Sequence, residues 1–197
     1  MKRYDDVVEF HGHSCPGLAL GYRVSRRALR EFGDRSEDEE IVAIVENNSC
    51  AVDAVQMMTG CTFGKGNLVF RDFGKQVYTF AKRPSGRSIR ISIIGERPEE
   101  TKEEKQLWDA YAKGDRSKKV LDFVHSRKAA KIRQILDAQD EELFAVTKGK
   151  IALPPEAEIY RSIRCALCNE KVAEPKARTR EGMMLCVPCF DKKGRKR

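Results

Sequence analysis

Ile41-Val42-Ala43-Ile44-Val45 is an unbroken apolar run, mostly β-branched. Such a run fits a strand buried on both faces better than one with a wet side. Glu46-Asn47-Asn48 ends it abruptly, and Asn48 or Ser49 is placed to cap a helix running from Cys50 to Thr59. On that helix Cys50, Asp53, Ala54 and Met57 follow the i, i+3, i+4, i+7 spacing of a single face. Gly60 stops it and Cys61 follows at once. A buried strand that turns directly into a helix is also where sheet proteins tend to place their sites.

Upstream, Pro16 to about Phe32 has a helical stripe of Leu18, Tyr22, Ser25, Leu29 and Phe32, closed by Gly33. Gly17 and Gly21, one turn apart, allow another backbone or a ligand to come close, and helix packing explains them equally well. Ahead of this helix stands Phe10-His11-Gly12-His13-Ser14-Cys15-Pro16-Gly17, which holds two of the three histidines and one of the seven cysteines. Taken as an extended segment, it turns His11, His13 and Cys15 to one side. Pro16 suits a first helical position, and the helix start beside Cys15 favours a thiolate. Imidazole with thiolate is a borderline-soft donor set of the kind zinc prefers.

Downstream, Cys61-Thr62-Phe63-Gly64-Lys65-Gly66-Asn67 is a glycine-rich loop. It fails as a phosphate loop, because the glycine spacing is too short and Lys65 is followed by Gly66 rather than Ser or Thr. A looser anion site of backbone N–H groups with Lys65 stays open. Leu68 to Phe70 reads as a strand and Asp72 to Lys75 as a turn. Gln76–Lys82 and Ser88–Ile94, joined through Pro84-Ser85-Gly86, form an antiparallel hairpin. Pro98 to Asp137 is helical, with Leu107, Trp108 and Tyr111 on a first helix and Val120, Leu121, Val124, Ile132, Ile135 and Leu136 on a second. His125 sits alone there and is assigned a structural role. Glu142 to Val146 is a short strand able to rejoin the sheet.

Leu153-Pro154-Pro155-Glu156 is a linker, dividing a core of residues 1–153 from a module of residues 161–197. The module carries Cys165, Cys168, Cys186 and Cys189, two C-x-x-C pairs with seventeen residues between them. That is the spacing of a tetrahedral four-cysteine zinc site, and rubredoxin-like iron would use similar ligands. A helix starting near Phe190 makes the module a treble clef rather than a plain ribbon. A unit this small buries little apolar surface, so the metal must supply much of its stability.

The net charge of +8 is uneven: residues 161–197 hold 11 Lys/Arg and 4 Asp/Glu, and residues 1–160 hold 27 and 26. The core is therefore almost neutral and the module basic. No run approaches the ~18 apolar residues of a membrane helix, and the opening residues lack the apolar stretch of a signal peptide. The cytoplasm is the expected location, where cysteines serve as ligands or reactive thiols before disulfides.

Residues 1–150 resemble the FmdE family, named for a component of formylmethanofuran dehydrogenase. The resemblance rests on Phe10 to Gly17, Asn48-Ser49-Cys50-Ala51-Val52-Asp53-Ala54, Gly60 to Asn67, and Asp72-Phe73-Gly74-Lys75. It implies an α+β core with a mixed, five-stranded sheet flanked by helices, a Cys/His metal site in that core and, in some members, an appended C-terminal treble-clef zinc finger. It also leans toward a homodimer and toward association with other subunits of a molybdenum or tungsten dehydrogenase of one-carbon metabolism.

The leading expectation is a metal-binding accessory protein, with a second metal, expected to be zinc, held by His13, Cys15 and Cys50, and with Cys61 as a further ligand. Cys15, Asp53 and Lys65 are the candidate catalytic groups. The alternative is a nucleic-acid-binding regulator acting through the basic finger.

Overall fold

The computed structural model describes residues 2–95 and 100–194. The chain divides into two compact units, Met1–Glu156 and Ala157–Arg197. The larger is an α+β layer pair. Its five-stranded sheet comprises β1 (Ile41–Val45), β2 (Leu68–Phe70), β3 (Val77–Lys82), β4 (Arg87–Ile93) and β5 (Phe144–Lys150) in the order β2-β1-β3-β4-β5. β1 and β2 run parallel, joined through helix α3 (Ala51–Thr59); the other pairs are antiparallel, so the sheet is mixed. All five residues of β1 are buried, as its composition demands of a central strand. Ile41, Ala43 and Val45 join Tyr78, Phe80, Ile89, Ile91 and Phe144 in one apolar layer under the helices.

Those helices are α1 (Tyr4–His11), α2 (Pro16–Phe32), α3 and α5 (Lys118–Asp137), with α4 (Lys102–Ala112) packed on α5. No described helix is long and apolar enough to cross a membrane. α2 is the central helix. Its Arg23 is buried and donates to the carbonyls of Ile135, Leu136 and Ala138 and to the Asp140 carboxylate. A guanidinium placed there satisfies the free carbonyls at the end of α5 and opposes the negative end of its dipole.

α2 and α3 cross closely at Gly21. A Cβ on Gly21 would stand 2.6 Å from Ala51 Cα, with the Ala51 carbonyl oxygen nearer still. Backbone cannot swing aside as a side chain can, so Gly21→Ala forces the helices apart. The expected cost reaches or exceeds the ~1–3 kcal/mol of ordinary overpacking. A thermal melt should fall by at least several degrees, and an unchanged melting temperature would show that the crossing is looser than this.

Three expectations need correction. The segment His11 to Cys15 is not extended, because α1 runs through His11 and Gly12 closes it at φ 94°, a conformation that favours glycine. Glu142 and Leu143 belong to a single helical turn, α6 (Asp140–Leu143), so β5 begins at Phe144 and continues to Lys150. Pro98, where the helical region was expected to begin, lies outside the described residues.

The smaller unit has two hairpin-like pairs, β6 (Ser162–Arg164) with β7 (Lys171–Ala173) and β8 (Arg178–Arg180) with β9 (Met183–Leu185), then helix α7 (Val187–Gly194). A cysteine turn, a hairpin and a terminal helix are the parts of a treble clef.

Candidate metal centres

In the smaller unit, the sulfurs of Cys165, Cys168, Cys186 and Cys189 all lie within 4.8 Å of one another. Two turns bring them there. Asn169 N–H donates to the Cys165 carbonyl (2.9 Å) after β6, and Phe190 N–H donates to the Cys186 carbonyl (2.9 Å) at the start of α7. Ala166 N–H reaches the Met184 carbonyl (2.9 Å), tying one turn to the hairpin. The N–H groups of Cys168, Cys186 and Leu167 pull the Cys165 thiol down to about 6. The neighbouring Cys186 thiol and burial push Cys189 up to about 12. Four sulfurs this close do not share four negative charges by themselves, and a cation among them is what lets all four ionise. The donor set fits a closed, tetrahedral structural metal site.

A second cluster lies in the core. α1 delivers His11 on its last turn, Gly12 reverses the chain, and Cys15 caps α2, its sulfur accepting from Leu18 N–H (3.4 Å). Cys50 stands at the head of α3, reached from β1 through Asn47, whose side-chain oxygen accepts from the Ser49 N–H (3.1 Å) and hydroxyl (2.7 Å). The ligand atoms of His11, Cys15 and Cys50 lie within 4.8 Å of one another. The cluster thus occupies the junction where α1, α2 and α3 meet at the end of the central strand.

The electrostatics of His11 suit this arrangement. Its Nδ1 is 2.7 Å from Asp53 Oδ2, one turn into α3. A proton on Nδ1 donated to the carboxylate leaves Nε2 as a lone pair, and Nε2 is buried without a hydrogen-bond partner. An unpartnered buried nitrogen costs roughly 1–3 kcal/mol. Imidazole held by a carboxylate on one nitrogen and free on the other is the arrangement of a metal-ligating histidine. Burial, then the adjoining Cys15 thiol, push the Cys50 thiol up; a cation between the two sulfurs works in the opposite direction. Two thiolates and an imidazole, with no fourth protein donor in the cluster among the described residues, fit a metal site with an open position.

The residues singled out in the sequence are redistributed. His13 is exposed, its ring lying 4.5 Å from that of His11, and it stands outside the ligand cluster. Cys61 is fully buried in the apolar core, where its thiol donates to the Ile41 carbonyl (3.2 Å) and burial pushes it up to about 11, so it too stands outside the cluster. Lys65 spends its ammonium on three carbonyls, of Ser36 (3.4 Å), Glu37 (3.0 Å) and Asp38 (2.8 Å). It fastens the acidic turn before β1. Of the catalytic candidates, Cys15 and Asp53 come together at the core cluster and Lys65 does not join them. His125 is exposed on α5, outside both clusters.

Tyr4 was not anticipated at this site. It lies seven residues before His11 on α1, hence on the same helical face. Its hydroxyl is 2.9 Å from the Ser14 hydroxyl, and it packs against the core beside Cys15. The Tyr4, Val7, Val8, His11 spacing is the signal that places both residues inward.

A family model described as FmdE, molybdenum formylmethanofuran dehydrogenase operon, matches residues 10–145 and so spans the core cluster. A curated relative, a probable S-adenosyl-L-methionine-binding protein of Archaeoglobus fulgidus, is 31% identical over 193 residues, covering 92% of this chain and 50% of the relative. The chain therefore spans about half that protein's length. The crystal structure of an FmdE-like protein of tungsten formylmethanofuran dehydrogenase, from Syntrophus aciditrophicus, superposes with a TM-score of 0.61 at 21% identity, covering 98% of this chain and 95% of that one. At that identity the likeness is one of fold.

Proposed function

This chain belongs to the FmdE family, and we propose that it is a metal-binding accessory protein or subunit linked to molybdenum- or tungsten-dependent one-carbon metabolism. In this reading it holds a structural zinc in the finger and a second ion, also zinc, in the core. His11, Cys15 and Cys50 hold the core ion. The observation that carries the reading is the buried, unpartnered Nε2 of His11 facing two thiols while Asp53 holds its other nitrogen.

An ion bound there supplies Lewis acidity at its open position. The protein does the rest. Asp53 keeps His11 in one tautomer and one orientation. The hydroxyls of Tyr4 and Ser14, beside Cys15, are available to hydrogen-bond an oxygen of an incoming ligand. The working form in this reading is a cytoplasmic homodimer, alone or with other dehydrogenase subunits. The exposed Phe10, Phe63, Phe70 and Phe73 of the core support a partner of some kind.

Replacement of both ions by cobalt(II) tests the open position. Acetate titrated into the loaded full-length protein should shift the ligand-field bands of the core ion and leave those of the closed four-cysteine site unchanged. Cobalt bands in both sites that ignore acetate would show that the core site is closed and structural.

A further inference from the structure

Charge is arranged differently in the two units. In the core the signs are matched in space: Arg23 and Arg30 pair with Asp140, Arg87 and Lys148 with Glu31, and Arg127 with Glu104. Every ion pair among the described residues lies in this larger unit. None joins a Lys or Arg to a carboxylate among the described residues of the smaller one, although its segment carries 11 basic residues against 4 acidic.

The cations of the smaller unit are also set against one another. Arg164 and Lys171 stand directly opposite across the β6/β7 pair, and both are exposed. Like charges so placed destabilise a strand pair. Arg164 turns one guanidinium nitrogen to the Asn169 carbonyl (3.0 Å), and Arg178 turns one to the Ala177 carbonyl (3.1 Å). Carbonyls satisfy donors without cancelling charge. Arg161, Lys176 and Lys192 are exposed as well. Glu170, the carboxylate nearest the β6/β7 turn, is engaged by the Cys168 thiol (3.6 Å). A divalent ion with four thiolates is formally −2, which leaves the unit strongly cationic.

We propose that the C-terminal unit binds nucleic acid through the phosphodiester backbone, without reading sequence. A surface of unpaired cations held apart by a metal-stiffened scaffold gains little from any single anion in water. Against a polyanion it gains the release of condensed counterions for every phosphate neutralised. A nucleic acid fits better than an anionic membrane. Membrane-surface helices set their cations beside a long apolar face, whereas these cations sit on short strands and turns, and α7 has only eight residues.

The test is fluorescence anisotropy of the full-length, metal-loaded chain with a labelled 20-base-pair DNA duplex and an RNA duplex of the same sequence, across about 25–200 mM salt. Both duplexes should bind, with affinity falling steeply as salt rises. The double variant Arg164→Gln/Lys171→Gln should bind about tenfold more weakly at low salt and lower the log–log salt slope by about two. Lys105→Gln, on the exposed side of α4, should change neither. The proposal is overturned if neither duplex binds at 25 mM salt, if only one of them binds, or if the double variant matches wild type. Binding to phosphatidylserine vesicles in place of the duplexes, lost in the same variant, would overturn it in favour of a lipid surface.

Discussion

Cys168→Ser is expected to leave the C-terminal unit without a fixed fold while the core keeps its own. Leu185 is the unit's only described aliphatic side chain that is fully buried, with Val172, Met183 and Phe190 packed partly against it. The three-residue strands of β6 to β9 add few ladder bonds. A structural zinc site supplies roughly 10–16 kcal/mol at neutral pH, and a missing thiolate removes much of that. Two-dimensional NMR should show the signals of residues 157–194 collapsing toward random-coil positions while those of the core stay dispersed. One metal ion per chain should be lost with them. A variant with dispersed finger signals and no finger metal would mean that the unit folds on packing alone.

Asp53→Asn is expected to weaken the core ion by about 10–100-fold, and Cys50→Ser to release it under competition with a chromophoric chelator. The two differ in kind. Cys50 supplies one of only three donors, and serine is a poor substitute for a thiolate. Asp53 does not belong to the cluster; it makes the 2.7 Å bond to His11 Nδ1. Asparagine preserves an acceptor and the shape but removes the charge that raises imidazole basicity. Equal chelator resistance in Asp53→Asn and wild type would reduce the Asp53–His11 bond to a structural link.

The parts of the molecule that could be read from sequence are those whose cause is local. β1 declares itself because five consecutive buried residues exclude a wet face. α2 and α3 announce their ends through Pro16, Gly33 and Gly60. The finger's ligands are legible because each C-x-x-C turn is closed by its own backbone.

What was missed has a nonlocal or competing cause. α1 has eight residues and buries only Val7 fully, so its apolar stripe is too short to outweigh its charged opening. Without α1, the histidine segment reads as extended and His13 takes the place that belongs to His11. The glycine-rich loop likewise shows a free lysine in sequence. The three carbonyls that hold Lys65 come from the turn at Ser36 to Asp38, about 28 residues earlier. β5 starts late because Asp140 must first meet Arg23 and Arg30 from α2, a contact across more than a hundred residues.

The core centre stands on which histidine holds the ion, and elemental analysis decides it. Wild type, His11→Ala and His13→Ala would be purified without oxygen or added metal and their metal content counted per chain. A site built on His11 gives about two ions for wild type, about one for His11→Ala and about two for His13→Ala. Two ions in His11→Ala, or the loss of one in His13→Ala alone, would contradict it.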